Sequence, residues 1–224
     1  MRNCDLPIAR SLPLFSNISE QHFDAVIKGA RLQSFTTHVD LISEGDKADF
    51  LYVLLEGQVE LFTHLNGRES SIRLIEPMAS FVLATVAIDS THQLSARTFS
   101  RAKILLIPVD VVRKAFRKDT NFAGAIVTEM AQDYQSMVKL LTDVKLRTGV
   151  ERLSNILLGF HKAQGGRGVV KLPCDKRTLA SLLGMSAENL SRTFNTLKAY
   201  NVEVVGSEVY LNDINALTQL ASAH

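Results

Sequence analysis

The chain has 224 residues, 46% of them hydrophobic, with 25 Lys and Arg against 23 Asp and Glu. That length points to two domains, and that composition excludes a disordered or low-complexity chain. Two cysteines, Cys4 and Cys174, exclude a disulfide framework and a four-cysteine zinc or iron–sulfur site within one chain.

The opening run MRNCDLPIAR lacks the long apolar stretch of a signal peptide. The most apolar run, ILLIPVDVV at 104–112, is short and broken by Pro108 and Asp110, so no membrane span is expected. The expectation is a soluble, cytoplasmic protein. Residues 19–29 read as a short helix that Ser19 can cap, with Phe23, Val26 and Ile27 as its apolar face. From about 31 to 109 short strands alternate with turn signals: Gly45-Asp46, Glu56-Gly57, and Asn66-Gly67 between VELFTHL and ESSIRLI. The last pair is a type I′ hairpin signal, and strands at this spacing predict an antiparallel β-roll or jelly roll.

A long helix follows, from about Phe122, after Asp119 or Thr120 as a cap, to Leu146. Within it Val127, Met130, Tyr134, Met137, Leu141 and Val144 are spaced 3, 4, 3, 4, 3, a heptad seam flanked by Glu129, Asp133 and Lys139. So narrow a stripe predicts a parallel pairing of two such helices in a homodimer, the alternative being a helix packed on its own barrel. Tyr134 at a core position needs a partner for its hydroxyl or must reach past the seam.

Residues 150–163 form another helix, with Leu153, Ile156, Leu157 and Phe160 buried and GGRG at 165–168 closing it. Asp175 can cap a helix carrying Leu179, Ala180, Leu182 and Leu183; Ser186 can cap the next, which runs to about Tyr200. VEVVGSEVYL at 202–211 folds back as a hairpin about Gly206-Ser207. Small Ala180 lets the helices approach, Gly184 permits the turn and Leu190 fills the space between them: a winged helix-turn-helix. The expected class is therefore α+β, with a sensor β-roll at 1–118, a dimerisation helix at 119–146 and the winged domain at 147–224. Residues 146–224 carry nine basic and six acidic side chains, leaving sixteen against seventeen in the rest, so the basic surplus accompanies this motif.

On the second helix of the motif Leu190, Phe194 and Leu197 share one face, while Glu188, Ser191, Arg192 and Asn195 occupy another. In the major groove of double-stranded DNA Arg192 can donate to guanine O6 and N7, Glu188 can accept from a base amino group, and Ser191 can meet a base edge or thymine methyl. Ser186, Lys176, Arg177 and Thr178 lie near helix starts, where phosphates can be held. The bland alternative, Glu188 favouring the helix dipole and pairing with Arg192 at i+4, leaves the small-residue turn and the wing unexplained.

The order β-roll, long helix, winged helix-turn-helix resembles the CRP/FNR superfamily of transcription regulators across nearly the whole chain. SAENLSR, 186–192, is similar to the E-x-x-S-R recognition pattern of the FNR-like branch. The resemblance implies that Glu188, Ser191 and Arg192 read TTGA-type half-sites of an inverted palindrome, with RNA polymerase as a further partner. It also implies a cyclic-nucleotide-binding-like roll. Yet in FVLATVAIDSTHQLSARTF, 81–99, Leu83-Ala84 stand where cyclic-AMP binders carry Gly-Glu, and Leu94-Ser95 where they carry Arg-Ser. No cyclic AMP is expected, and Cys4 alone holds no iron–sulfur cluster.

PCDKRTLASLLGMSAENLSRTF and RSLPLFSNIS are similar to the nitric-oxide-responsive NnrR/DNR branch governing denitrification genes. That likeness implies haem as the NO sensor. Phe81, Val82, Leu83, Val86, Ile88 and Leu94 are the expected apolar effector pocket, with His92 as axial ligand candidate and Cys4 and His22 as weaker ones. Two alternatives stay open, and a third is disfavoured by its residues. Cys174 is either a redox handle beside the DNA or a half-buried strand-end residue. The roll can be filled by its own side chains and take no effector. A cupin-type enzyme would need a tight His-x-His pair, which His38, His64 and His92 do not supply.

Overall fold

The computed structural model describes residues 6–222. The chain divides into two compact units, Met1–Gln135 and Ser136–His224. The first contains α1 (Leu6–Arg10), α2 (Glu20–Gly29), β1 (Arg31–Phe35), β2 (Asp40–Ile42), β3 (Phe50–Glu56), β4 (Val59–Leu65), β5 (Arg68–Ile75), β6 (Ala79–Phe81), α3 (Leu83–Ile88), β7 (Ser95–Thr98), β8 (Ala102–Pro108) and α4 (Val109–Lys118). After α5 (Thr120–Leu146) come α6 (Gly149–Ala163), β9 (Val169–Lys171), α7 (Lys176–Leu182), α8 (Ala187–Leu197), β10 (Val202–Val205), β11 (Glu208–Leu211) and α9 (Ile214–Ala221). Among the described residues no helix is long and apolar enough to cross a membrane.

The first unit is an antiparallel β-roll of two four-stranded sheets, ordered β1-β8-β3-β6 and β2-β7-β4-β5. β3 and β8 are buried on both faces because successive side chains feed two cores. Leu51, Val53, Leu55, Leu105 and Ile107 pack on the helical side with Phe15, Phe23, Val26, Val112 and Phe122. Tyr52, Leu54, Ile104 and Leu106 face the roll interior with Leu61, Ile75 and Phe81. The β4–β5 hairpin turns through Asn66 and Gly67 at φ 51° and 73°, the predicted type I′ geometry. At Gly57, φ 85°, a Cβ would stand 2.0 Å from the Arg101 carbonyl oxygen, so glycine is required there.

Three helices interrupt the strand pattern expected from the sequence. α3 lies inside the stretch that reads as continuous strands, α4 separates the last roll strand from α5, and α1 precedes the first expected helix. α1 and α3 span only five and six residues, too short for a 3.6-residue period to stand out, whereas α4 does carry one, with Val109, Val112 and Ala115 buried at helical spacing, directly after a strand-like run. Ser19 holds the N-cap position of α2, but its hydroxyl meets His22 Nδ1 at 2.9 Å and not the helix backbone.

Asp119 ties these pieces together. Its Oδ1 accepts from Phe122 N–H at 2.9 Å, starting α5, while Oδ2 accepts from Ser19 N–H at 2.9 Å and lies 3.0 Å from His22 Nδ1. The Phe122 amide leads in holding this carboxyl well below the usual carboxylate range, with the amide and hydroxyl of Ser19 and the His22 ring adding to it. Asp119→Ala is expected to lower stability by about 2 kcal/mol, from the missing cap, which leaves the buried Phe122 N–H unpaired, and from the lost hydrogen bond to Ser19 N–H. Because the folded pKa is depressed, the contribution is complete above about pH 4, the ordinary carboxylate range, and is lost as pH falls through the folded value. Urea unfolding of both proteins at pH 7 and in acid measures the difference.

In the second unit each of α6, α7, α8 and α9 starts on a capping side chain. Thr148 and Glu151 form a capping box on α6, Asp175 Oδ1 accepts from Thr178 N–H, Ser186 Oγ from Asn189 N–H, and Asp213 Oδ1 from Ala216 N–H. The expected two-stranded wing is a three-stranded sheet, β10-β11-β9, since Val169–Lys171 pairs with Glu208–Tyr210. The closing helix α9 has no counterpart in the sequence pattern described above. The turn between α7 and α8 runs through Gly184 at φ 63°, with Met185 N–H donating to the Ala180 carbonyl. Gly184→Ala is expected to cost about 1 kcal/mol in a thermal melt, the strain of a left-handed alanine, because Val144 at 3.4 Å leaves room for the methyl.

Candidate nucleic-acid interface and effector pocket

α8 is amphipathic in the sense the sequence predicts. Leu190, Thr193, Phe194 and Leu197 are buried, while Glu188, Ser191, Arg192 and Asn195 are exposed along the other side. Glu188 is held below its ordinary pKa, first by its own backbone N–H, then by the Ser186 hydroxyl and the Arg192 charge. It is therefore an ionised acceptor at the helix start. Ser186 serves chiefly as the cap of α8, so its hydroxyl is committed within the helix. Lys176 and Arg177 are exposed at the start of α7 and Thr178 is half-buried; Lys176 Nζ also lies 5.9 Å from the centre of the Phe194 ring.

A cleft of about 240 Å³ beside α8 is bordered by Lys176, Ser191, Asn195, Lys198 and Val204. Lys198 escaped the sequence reading, although it sits one turn after Asn195 and one before the wing. Together with Lys176 it gives this cleft two cations next to the exposed polar stripe.

The expected effector pocket does not form as one cavity. Leu83 and Val86 belong to the helical-side core, Phe81 to the roll interior with Val82 and Leu94 partly buried against it, and Ile88 is 70% exposed. The cause is α3: helical periodicity turns Leu83 and Val86 inward and Ile88, five residues on from Leu83, outward. Phe81 stacks on Tyr52, ring centres 5.3 Å apart, closing the interior from within.

His92 is 4% exposed and lines a separate polar cleft with Asp40, Asp46, Asp49 and Lys47. Its surroundings are acidic, unlike an apolar macrocycle's pocket, and haem does not fit the residues present there. His22 is engaged with Asp119 and Ser19, and Cys4 lies outside the described residues. Cys174 is buried between β9 and α7, an environment that suppresses thiol reactivity. Among the described residues no group of three His, Cys, Asp or Glu side chains is placed to hold a metal ion.

The seam residues lie on one side of α5. Val127, Tyr134, Met137, Leu141 and Val144 are exposed, Tyr134 at 71%, whereas Met130 is half-buried against the helical-side core of the first unit. Val138 adds to the exposed apolar surface.

A β-roll followed by a long helix and a winged helix-turn-helix defines a class of two-domain DNA-binding transcription regulators. Residues 32–119 match the cyclic nucleotide-binding domain family and residues 151–220 the Crp-like helix-turn-helix domain family. The chain is 26% identical over 175 residues to the transcriptional activatory protein AadR of Rhodopseudomonas palustris, covering 74% of this chain and 70% of that protein. It is 23% identical over 176 residues to the nitrogen fixation regulation protein FixK of Rhizobium meliloti, 78% and 79% of the two chains. The structure of FixK2 from Bradyrhizobium japonicum superposes with a TM-score of 0.75 at 21% identity, covering 85% of this chain and 96% of that one, and so shares its fold. With both domains matched in order, the chain belongs to the CRP/FNR family of regulators.

Proposed function

We propose that the protein is a homodimeric, sequence-specific transcription regulator without enzymatic activity that reads TTGA-type inverted repeats and acts with RNA polymerase. The observation that carries this reading is the exposed row Glu188, Ser191, Arg192 and Asn195 on a helix whose opposite side is buried. Lys176, Arg177, Lys198 and the start of α7 hold phosphates, which position the helix without reading sequence. The apolar stripe of α5 pairs with the same stripe of a second copy, placing two reading helices one turn of duplex apart, ~34 Å. Fluorescence anisotropy with a symmetric TTGA repeat, a half-site and a scrambled duplex tests it: tight binding to the symmetric site alone is expected.

For the roll, the structure favours the reading in which its own side chains fill it. The Tyr52–Phe81 stack, with Leu54, Leu61 and Ile104, occupies the interior where an effector would otherwise lie. NO sensing through haem, the NnrR/DNR-like reading, and its link to denitrification genes rest on sequence likeness. Protein from haem-replete cells is expected to give the same absorption spectrum as its His92→Ala variant, with and without NO. A Soret band that disappears in that variant would restore the haem reading.

A further inference from the structure

His92 poses a chemical question that neither DNA binding nor the packed roll answers. It is 4% exposed, yet its Nδ1 is buried with no hydrogen-bond partner among the described residues. A buried polar atom left unpaired costs free energy and calls for an occupant. The ring lines a cleft of about 350 Å³ whose edge carries exposed Asp40, Asp46 and Asp49, with Lys47 and Ser43 beside them. Three carboxylates against one ammonium, over a buried ring, give the cleft a strong preference for cations.

The cleft is held in place. Gly45 N–H donates to the His92 carbonyl and His92 N–H to the Asp46 carbonyl, both at 2.8 Å, and Lys47 forms a β-bridge with Thr91. Tyr52 closes another side, its hydroxyl donating to the Leu41 carbonyl at 3.1 Å. The loop carrying Asp46 and Asp49 is thereby fixed beside the ring without any occupant, the preorganisation a binding site needs.

What kind of cation fits follows from the lining and the volume. No three His, Cys, Asp or Glu groups among the described residues are close enough to hold a metal ion. Three carboxylates distributed along one cleft suit an extended molecule with a positive charge at each end, and the volume lies within the range of small-ligand sites. We propose that the cleft of Asp40, Asp46, Asp49 and His92 binds a small organic dication of the diamine class. One ammonium donates to Asp46 or Asp49 and to the Nδ1 lone pair; the other reaches Asp40. Burial lowers the His92 pKa, against the opposing pull of Asp46 and Asp49, so at pH 7 the ring is neutral, and its Nε2–H tautomer offers that lone pair.

The site stands independently of the DNA-binding reading, and its test reads binding directly. Putrescine is titrated into the full-length protein by calorimetry, with the ring ¹⁵N signals of His92 followed in parallel. Saturable binding with a shift of the Nδ1 resonance is expected. Butylamine, with one charge, and the isosteric double variant Asp46→Asn/Asp49→Asn should each bind roughly tenfold more weakly, because each removes a charge-assisted hydrogen bond. His92→Phe, checked for an unchanged melting temperature, should weaken putrescine binding. The proposal is overturned if putrescine leaves the His92 resonances unmoved, if the Asn variant or a stably folded His92→Phe binds it as tightly, or if Zn²⁺ or Mn²⁺ binds where the amine does not.

Discussion

Arg192→Ala is expected to lower affinity for the symmetric operator by roughly 1–3 kcal/mol for each bidentate Arg–guanine pair removed, about 5- to 150-fold, and to relax selectivity at one base position of each half-site. The fold should not suffer. Arg192 is exposed, and the stability of α8 comes from Leu190, Phe194 and Leu197 on its buried side and from the Ser186 cap. Binding to scrambled duplex should fall far less, because non-specific affinity comes from neutralising phosphates. Lys198→Ala should behave in the opposite way, weakening all sequences alike and reducing the salt dependence. Anisotropy titrations on operator, single-base variants and scrambled DNA at two salt concentrations separate the two residues. Equal decreases on operator and scrambled DNA for Arg192→Ala would remove it from base reading.

Leu141→Lys should abolish the dimer at micromolar concentration. Leu141 is 56% exposed in the single chain, so the substitution leaves the fold intact. In a parallel pair it meets its own counterpart across the seam, where two ammonium groups would shed solvation and repel. Sedimentation should show a monomer whose circular dichroism and melting behaviour match the parent. DNA binding should then fall by about 10²–10⁴, since linked reading heads owe that much to effective concentration. A stable Leu141→Lys dimer would place the interface elsewhere. Val127, farther up α5 and 58% exposed, provides a second position for the same test.

The features legible in the sequence are those written in local spacing. The type I′ hairpin at Asn66-Gly67, the caps Asp175 and Ser186 and the left-handed turn at Gly184 each depend on a few neighbouring residues, and all stand where predicted. The two faces of α8 and the exposed stripe of α5 belong to the same kind, because helical periodicity sorts side chains whatever surrounds the helix.

Burial partners could not be read this way. Phe81, Leu83, Val86 and Ile88 look alike as an apolar run, and only the onset of α3 at Leu83 distributes them between two cores and solvent. Nor does chain order bring Asp40, Asp46 and Asp49 to His92, which lies beyond four intervening strands; the β-roll does so by folding one loop onto the segment before β7. Sequence alone determined that α8 carries an exposed polar row and α5 an exposed apolar stripe, since both are properties of a single helix. Which polar groups meet in the roll, and that its interior is filled, was decided by tertiary structure, because contacts between distant strands depend on register and packing that no local pattern encodes.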